Sequence, residues 1–283
     1  MRRASLRPIK GLSEIADDFE AFLVDQFGVM HDGRRPYDGA AEALTTLKQA
    51  GKSVIVLTNS GKRARPNIDR IMSIGFPQSS FSDLVSSGEV AWTGIRESRF
   101  GRPFVAGARV GLIGKQGDDY GFDDLGLVLV DDWTEAEALL ILGSDCPRTT
   151  LDDYKRHLAP AAAKGVPALC CNPDITMLTS QGLQPSSGAI AQVYAALGGR
   201  VTFVGKPHAA IYRQASRLAG SDGAAVLAIG DSLDHDILGG AEVGFKTALV
   251  RTGILAEMDE AQFGTALDAA PKQPDFILPR LRW

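Results

Sequence analysis

Cysteine is scarce in this chain, with three residues in 283, two of them the adjacent pair Cys170-Cys171. Such a set supplies neither a disulfide framework nor the CxxC spacing of a zinc site, so a reducing cytoplasm is the expected compartment. A surplus of positive charge is also lacking. Thirty Lys and Arg against 34 Asp and Glu leave a net charge of -4, spread along the chain, and no nucleic acid is expected as a partner. The basic opening MRRASLRPIK is followed by no apolar stretch of signal-peptide or membrane-span length, which argues against export and membrane anchoring. No repeat, low-complexity tract or Pro-rich linker marks a domain boundary, so the division has to come from chemistry.

What is present is a series of short, unbroken apolar runs. They include AFLV at 21–24, SVIVL at 53–57, VGLIG at 110–114, ALLILG at 138–143, PALCC at 167–171, VTFVG at 201–205, AAVLAIG at 224–230 and KTALV at 246–250. Runs of this kind suit strands buried on both faces. Between them lie amphipathic stretches such as 39–51 and 208–220, each closing on the Gly that commonly stops a helix. Alternation of strand and helix predicts an α/β fold with a doubly wound, mainly parallel sheet.

In open parallel sheets, ligands bind beyond the carboxyl ends of the strands. Several apolar runs here end in reactive side chains: Asp25 after AFLV, Thr58 and Asn59 after SVIVL, Lys206 after VTFVG, and Asp231, Asp234 and Asp236 after AAVLAIG. Each alone has a plainer explanation. An Asp, Thr or Asn after a strand commonly caps a helix, an isolated lysine is usually solvated, and acids in a first turn complement the helix dipole. A carboxylate, a hydroxyl, a cation and an acidic cluster, each after a separate strand, are much less expected by chance.

In that order, Asp25, Thr58, Lys206 and the Gly230-Asp231 to Asp236 segment resemble the four motifs of the haloacid dehalogenase (HAD) superfamily. The forms LTNSGK, GKPH and GDSLDHDI resemble its subfamily IIA, which carries a large inserted α/β cap and includes many small-molecule phosphatases. The resemblance implies a HAD-like core from residues 1–77 and 203–283 and a cap from 78–202. It implies Asp25 as nucleophile, with Thr58 and Lys206 on the phosphoryl oxygens. Mg²⁺ would be held by Asp25, the main-chain carbonyl of Phe27 and Asp231, with Asp236 in support. In the cap, CCNPDITML resembles the subfamily's TNPD segment, so Asn172 and Asp174, together with Asn59, become candidates for substrate binding; a plain Asn-Pro-Asp turn is the competing reading. A small phosphorylated metabolite is the implied substrate, and a homo-oligomer is left open. Charge supports the metal: two anions, Asp25 and a phosphate, repel unless a hard cation with oxygen ligands sits between them.

The chain departs from the phosphatase pattern at Phe27, where a second Asp usually protonates the leaving oxygen. General acid-base catalysis is worth about 10² to 10⁴ in rate, so hydrolysis of ordinary esters should be weakened. Three resolutions are open: a substrate with a good leaving group, a substitute acid such as His31 or Asp32, or chemistry at carbon, since a halide needs no proton to leave. Against the last stands the intact acidic cluster. A protein that binds phosphate ligands with little turnover is the non-enzyme alternative.

Overall fold

The structure is a computed structural model that describes residues 6–179 and 181–283. Its strands are β1 (Arg7–Pro8), β2 (Ala21–Asp25), β3 (Ser53–Thr58), β4 (Asp83–Ser86), β5 (Arg109–Ile113), β6 (Val128–Val130) and β7 (Ala138–Ile141). They continue with β8 (Pro167–Cys170), β9 (Thr176–Thr179), β10 (Gly182–Pro185), β11 (Arg200–Phe203), β12 (Val226–Gly230), β13 (Lys246–Val250) and β14 (Phe276–Leu278). The α-helices are α1 (Ala40–Gln49), α2 (Ala64–Ile74), α3 (Ser87–Arg96), α4 (Leu151–Ala163), α5 (Ser187–Ala196), α6 (Ala209–Ala219), α7 (Leu238–Glu242) and α8 (Glu260–Ala269). Among the described residues no helix is long and apolar enough to cross a membrane.

The chain divides into two units. The first comprises the residues up to Thr58, then Asn67–Val85 and Lys206–Trp283; the second comprises Asn59–Pro66 and Ser86–Gly205. In the first, seven strands lie in the order β1-β14-β13-β12-β2-β3-β4. Pairings from β1 through β3 are parallel. Every residue of β2 and β12 is buried, which is why these segments read as unbroken apolar runs. From β2 the sheet grows one way through β3 and the other way through β12 and β13. The strand order therefore reverses at β2, the kind of place where α/β sheets bind ligands.

In the second unit, five parallel strands run in the order β11-β8-β7-β5-β6, beside an antiparallel β9-β10 hairpin. Its core joins Leu139, Ile141, Tyr154, Leu158, Ile190 and Tyr194 from β7, α4 and α5. Helix α4 starts on a capping box in which Thr150 and Asp153 satisfy each other's main-chain amides. The segment 59–66 is tied to this unit by side chains. Asn59 Nδ2 donates to Asp174 Oδ1 at 2.7 Å, Arg63 Nε donates to Glu89 Oε2 at 2.7 Å, and Lys62 pairs with Asp118 at 2.9 Å.

Two sequence expectations are revised by these strands. Boundaries at 78 and 202 become 86 and 205, because β4 completes one edge of the seven-stranded sheet and β11 pairs with β8. Segment 59–66, assigned above to the core, lies in the second unit, which takes Asn59 with it. The run VTFVG is a strand, as expected, and it pairs with β8 in the second unit's sheet.

Candidate active site

Parallel register brings three of the expected residues to one edge of the first unit's sheet. Asp25 is paired with Leu57, so Thr58 projects one residue beyond it. Because Ile229 is level with Val24, Gly230 is level with Asp25 and Asp231 stands one residue further. Lys206 arrives differently. It lies in the turn ahead of α6, and α6 packs on β2 and β3. Asp236 sits in a π-helical turn, Leu233–Ile237, directly after β12.

The Lys206 ammonium, itself buried, donates to Asp25 Oδ1 at 2.5 Å and to Asp236 Oδ1 at 2.7 Å. One carboxylate oxygen from each of Asp25, Asp231 and Asp236 lies within 4.8 Å of the others, and all three residues are buried. Burial lifts Asp25 well above the ordinary carboxylate range despite Lys206, with Asp236 and Asp231 adding repulsion. Burial, then Asp236, push Asp231 up to about 7. For Lys206, burial favours the neutral form, but Asp236 and Asp25 outweigh it and hold the amine well above its usual value.

Three buried carboxylates against one ammonium leave excess negative charge in a poorly solvated place, and buried charges are costly unless paired or bound to metal. The donors are hard oxygens, the set Mg²⁺ prefers. On this chemistry the residues fit a divalent cation. Replacing an Asp by Phe27 does not remove the main-chain carbonyl expected as a ligand there.

Several supporting contacts lay outside the sequence expectations. Tyr212 Oη, fully buried on α6, donates to the His235 carbonyl at 2.7 Å and steadies the turn that carries Asp236. Ser232 N–H donates to Asp236 Oδ2 at 3.2 Å. Ile254 N–H donates to Asp231 Oδ2 at 2.9 Å, and Thr252 Oγ1 donates to the Gly28 carbonyl at 2.6 Å. A visible signal existed for the last two, since KTALV is followed by Arg-Thr-Gly much as SVIVL is followed by Thr-Asn-Ser-Gly.

His31 is buried and does not supply the missing acid. Its Nδ1 accepts from Gly33 N–H at 2.9 Å and its Nε2 faces the Gln26 amide at 3.1 Å. Since Gln26 Oε1 otherwise has no partner, an amide turned to accept from Nε2–H satisfies both groups. Burial, followed by the charge of Arg70, pulls the imidazole down to about 4, so it is neutral at pH 7. Asp32 accepts from the main-chain N–H of Arg34 and Arg35, both at 2.9 Å, which is the turn-capping reading of the HDG segment. Asp234 is exposed on its turn. Phe27 is 46% exposed and meets the His31 ring edge-on at 6.1 Å.

In the second unit, the Asn59 side chain is buried, donating to Asp174 and accepting from Ser87 Oγ at 3.2 Å. Asn172 Oδ1 accepts from Asp174 N–H at 3.0 Å, closing the Asn-Pro-Asp turn. Cys170 and Cys171 are buried free thiols, and burial pushes Cys170 up to about 12. Both are packing residues rather than reactive ones.

Known proteins carry the same arrangement of fold and sequence. The family described as haloacid dehalogenase-like hydrolase matches residues 22–128, and the one described as HAD-hydrolase-like matches 203–283. Chronophin from Rattus norvegicus is 30% identical over 276 residues, covering 93% of this chain and 84% of its own length. The 5'-nucleotidase YutF from Bacillus subtilis is 27% identical over 240 residues, 83% of this chain and 88% of that protein. Among solved structures, a hydrolase of the haloacid dehalogenase-like family from Brucella suis 1330 aligns with a TM-score of 0.81 at 27% identity, over 96% of this chain and 99% of that one. The chain belongs to the HAD superfamily, in subfamily IIA, and is a hydrolase.

Proposed function

We propose that this hydrolase is a Mg²⁺-dependent phosphatase for a small phosphorylated metabolite with a good leaving group, working through an aspartyl phosphate on Asp25. The observation that carries the reading is the buried group of Asp25, Asp231 and Asp236 around the Lys206 ammonium. The phosphatase names of the relatives support it.

Asp25 Oδ attacks phosphorus, the bond to the leaving oxygen breaks, and that oxygen departs with the electron pair. Water then attacks the phosphoryl group and releases Asp25. Lys206, held by Asp236, keeps Asp25 oriented and balances charge on the phosphoryl oxygens, while the Thr58 hydroxyl donates to them. Mg²⁺, held by Asp25, the Phe27 carbonyl and Asp231, would offset the negative charge shared by nucleophile and substrate. Neither Phe27 nor the neutral, doubly hydrogen-bonded His31 offers a proton to the departing oxygen. Acyl phosphates, phosphoanhydrides and aryl phosphates fit that limitation because their leaving groups are stable as anions.

The inserted unit is read as the cap, with Asn172 and Asp174 as its substrate-binding residues. Asn59 acts by holding Asp174. A cytoplasmic setting is consistent with three unpaired thiols. A dehalogenase would share the aromatic residue at 27 but has no use for the acidic cluster. Turnover of p-nitrophenyl phosphate that disappears on chelation, returns with Mg²⁺ and is abolished in Asp25→Asn tests the reading. Turnover that persists in chelator refutes it.

A further inference from the structure

The turn after β13 touches one ligand of the proposed cation, Asp231, and the residue that follows another, Phe27, so its role rests on that metal reading. We infer that Thr252–Gly253–Ile254 acts as a clamp fixing Asp231 and the Phe27 carbonyl together, and that Thr252 is a positioning residue for cation affinity.

On one side of the turn, Ile254 N–H donates to Asp231 Oδ2 at 2.9 Å, so one oxygen of the carboxylate is held in a set direction. On the other side, Thr252 Oγ1 donates to the Gly28 carbonyl at 2.6 Å. Gly28 follows Phe27, and Gly28 N–H donates to the His31 carbonyl at 2.9 Å. In a planar trans peptide the Phe27 carbonyl points opposite to the Gly28 N–H. Fixing Gly28 through both its N–H and its carbonyl therefore fixes the direction of the Phe27 oxygen.

The backbones approach closely enough that no side chain fits between them. Gly28 (φ 87°) and Gly253 (φ 58°) are both in the left-handed region, and a Cβ at either position would overlap the Asp231 carboxylate. Only glycine meets both demands at once. Loop 26–28, Asp231 and the turn are thus one packed assembly. The hydroxyl of Thr252 is the side-chain bond joining the turn to the loop. Its anchorage is rigid as well, because β13 is paired with β12 through Gly230↔Leu249, directly before Asp231 and three residues before Thr252. Groups that orient metal ligands without binding the metal typically contribute about 10-fold to 100-fold in affinity.

The test measures Mn²⁺ binding to the full-length protein by electron paramagnetic resonance of the free ion, for wild type, T252V and T252S. T252V keeps the shape and removes the hydroxyl; T252S keeps the hydroxyl. The expected result is a Kd raised about 10-fold to 100-fold in T252V, a value near wild type in T252S, and recovery of most T252V turnover at saturating Mg²⁺. Circular dichroism melts confirm folding, and T252A replaces T252V if the latter melts below the assay temperature. Wild-type affinity in the variant lacking the hydroxyl, or equal loss in T252S, overturns the clamp while leaving the metal reading intact. Absence of Mn²⁺ binding by the wild type overturns the metal reading, and the clamp with it.

Discussion

Replacing Phe27 by Asp should turn a leaving-group-limited enzyme into one that accepts ordinary esters. The substitution keeps the main-chain carbonyl, so it leaves the proposed cation ligands in place. Its structural cost is small, because nearly half of the ring is already exposed. Full burial of such a side chain is worth about 1.5–3 kcal/mol, which puts the loss at roughly 1 kcal/mol. The catalytic gain is larger: a positioned general acid contributes about 10² to 10⁴ in rate, or roughly 3–5 kcal/mol of barrier. That gain should appear only where the departing oxygen needs a proton. A series of aryl and alkyl phosphates of graded leaving-group pKa, assayed as kcat/KM with saturating Mg²⁺, separates the cases. The wild type should show a steep fall as leaving-group pKa rises, and Phe27→Asp should flatten the line by raising the alkyl end while leaving the nitrophenyl end within about threefold. A wild type that already cleaves alkyl phosphates as fast as nitrophenyl phosphate would refute the reasoning, and so would a variant whose slope is unchanged.

Lys206→Met should remove the only counter-charge that the described residues place against Asp25 and Asp236; loss of one partner of a buried pair costs about 3–5 kcal/mol. Thermal melts should show a deficit that is larger at pH 8 than at pH 5, because burial raises the Asp25 carboxyl and lowering the pH neutralises it; a variant as stable as wild type at pH 8 would contradict this. His31 is neutral in the folded protein until about pH 4 but titrates near 6.5 when unfolded. As pH falls through that window only the unfolded chain gains the proton, so stability drops by about 1.4 kcal/mol per unit, roughly 3 kcal/mol in all. Urea titrations between pH 7 and 4 should therefore show a steeper decline for wild type than for His31→Gln, and parallel curves would rule the assignment out.

Much of this site could be read from residue order. Continuous burial made β2, β3 and β12 legible as apolar runs, and a polar residue at the end of each marked Asp25, Thr58 and Asp231. Periodicity reports that a strand exists without saying which sheet takes it, and VTFVG, which the expected boundary at 202 cuts through, pairs with β8 in the second unit. Asp236 was expected in support of the site, but residue order does not show the π-helical turn that directs it inward to Lys206 while Asp234 stays exposed. The link from Thr252 to Gly28 spans 224 residues and joins a hydroxyl to a main-chain carbonyl. The Thr-Gly step after KTALV marks the turn, but no pattern of residue types names its partner. Likewise, His31 offered a plausible acid in the sequence, and only its two occupied ring nitrogens and its burial removed it.

The assignment of Asn59–Pro66 to the second unit bears on any attempt to engineer substrate range by swapping modules between relatives. A cassette cut at 86 and 205 looks self-contained, yet it would leave behind Asn59, Lys62 and Arg63, the partners of Asp174, Asp118 and Glu89. A donor graft would then meet the recipient's own 59–66 segment across unmatched hydrogen bonds. Working chimeras should need two splices, with the short octapeptide travelling alongside the long insert.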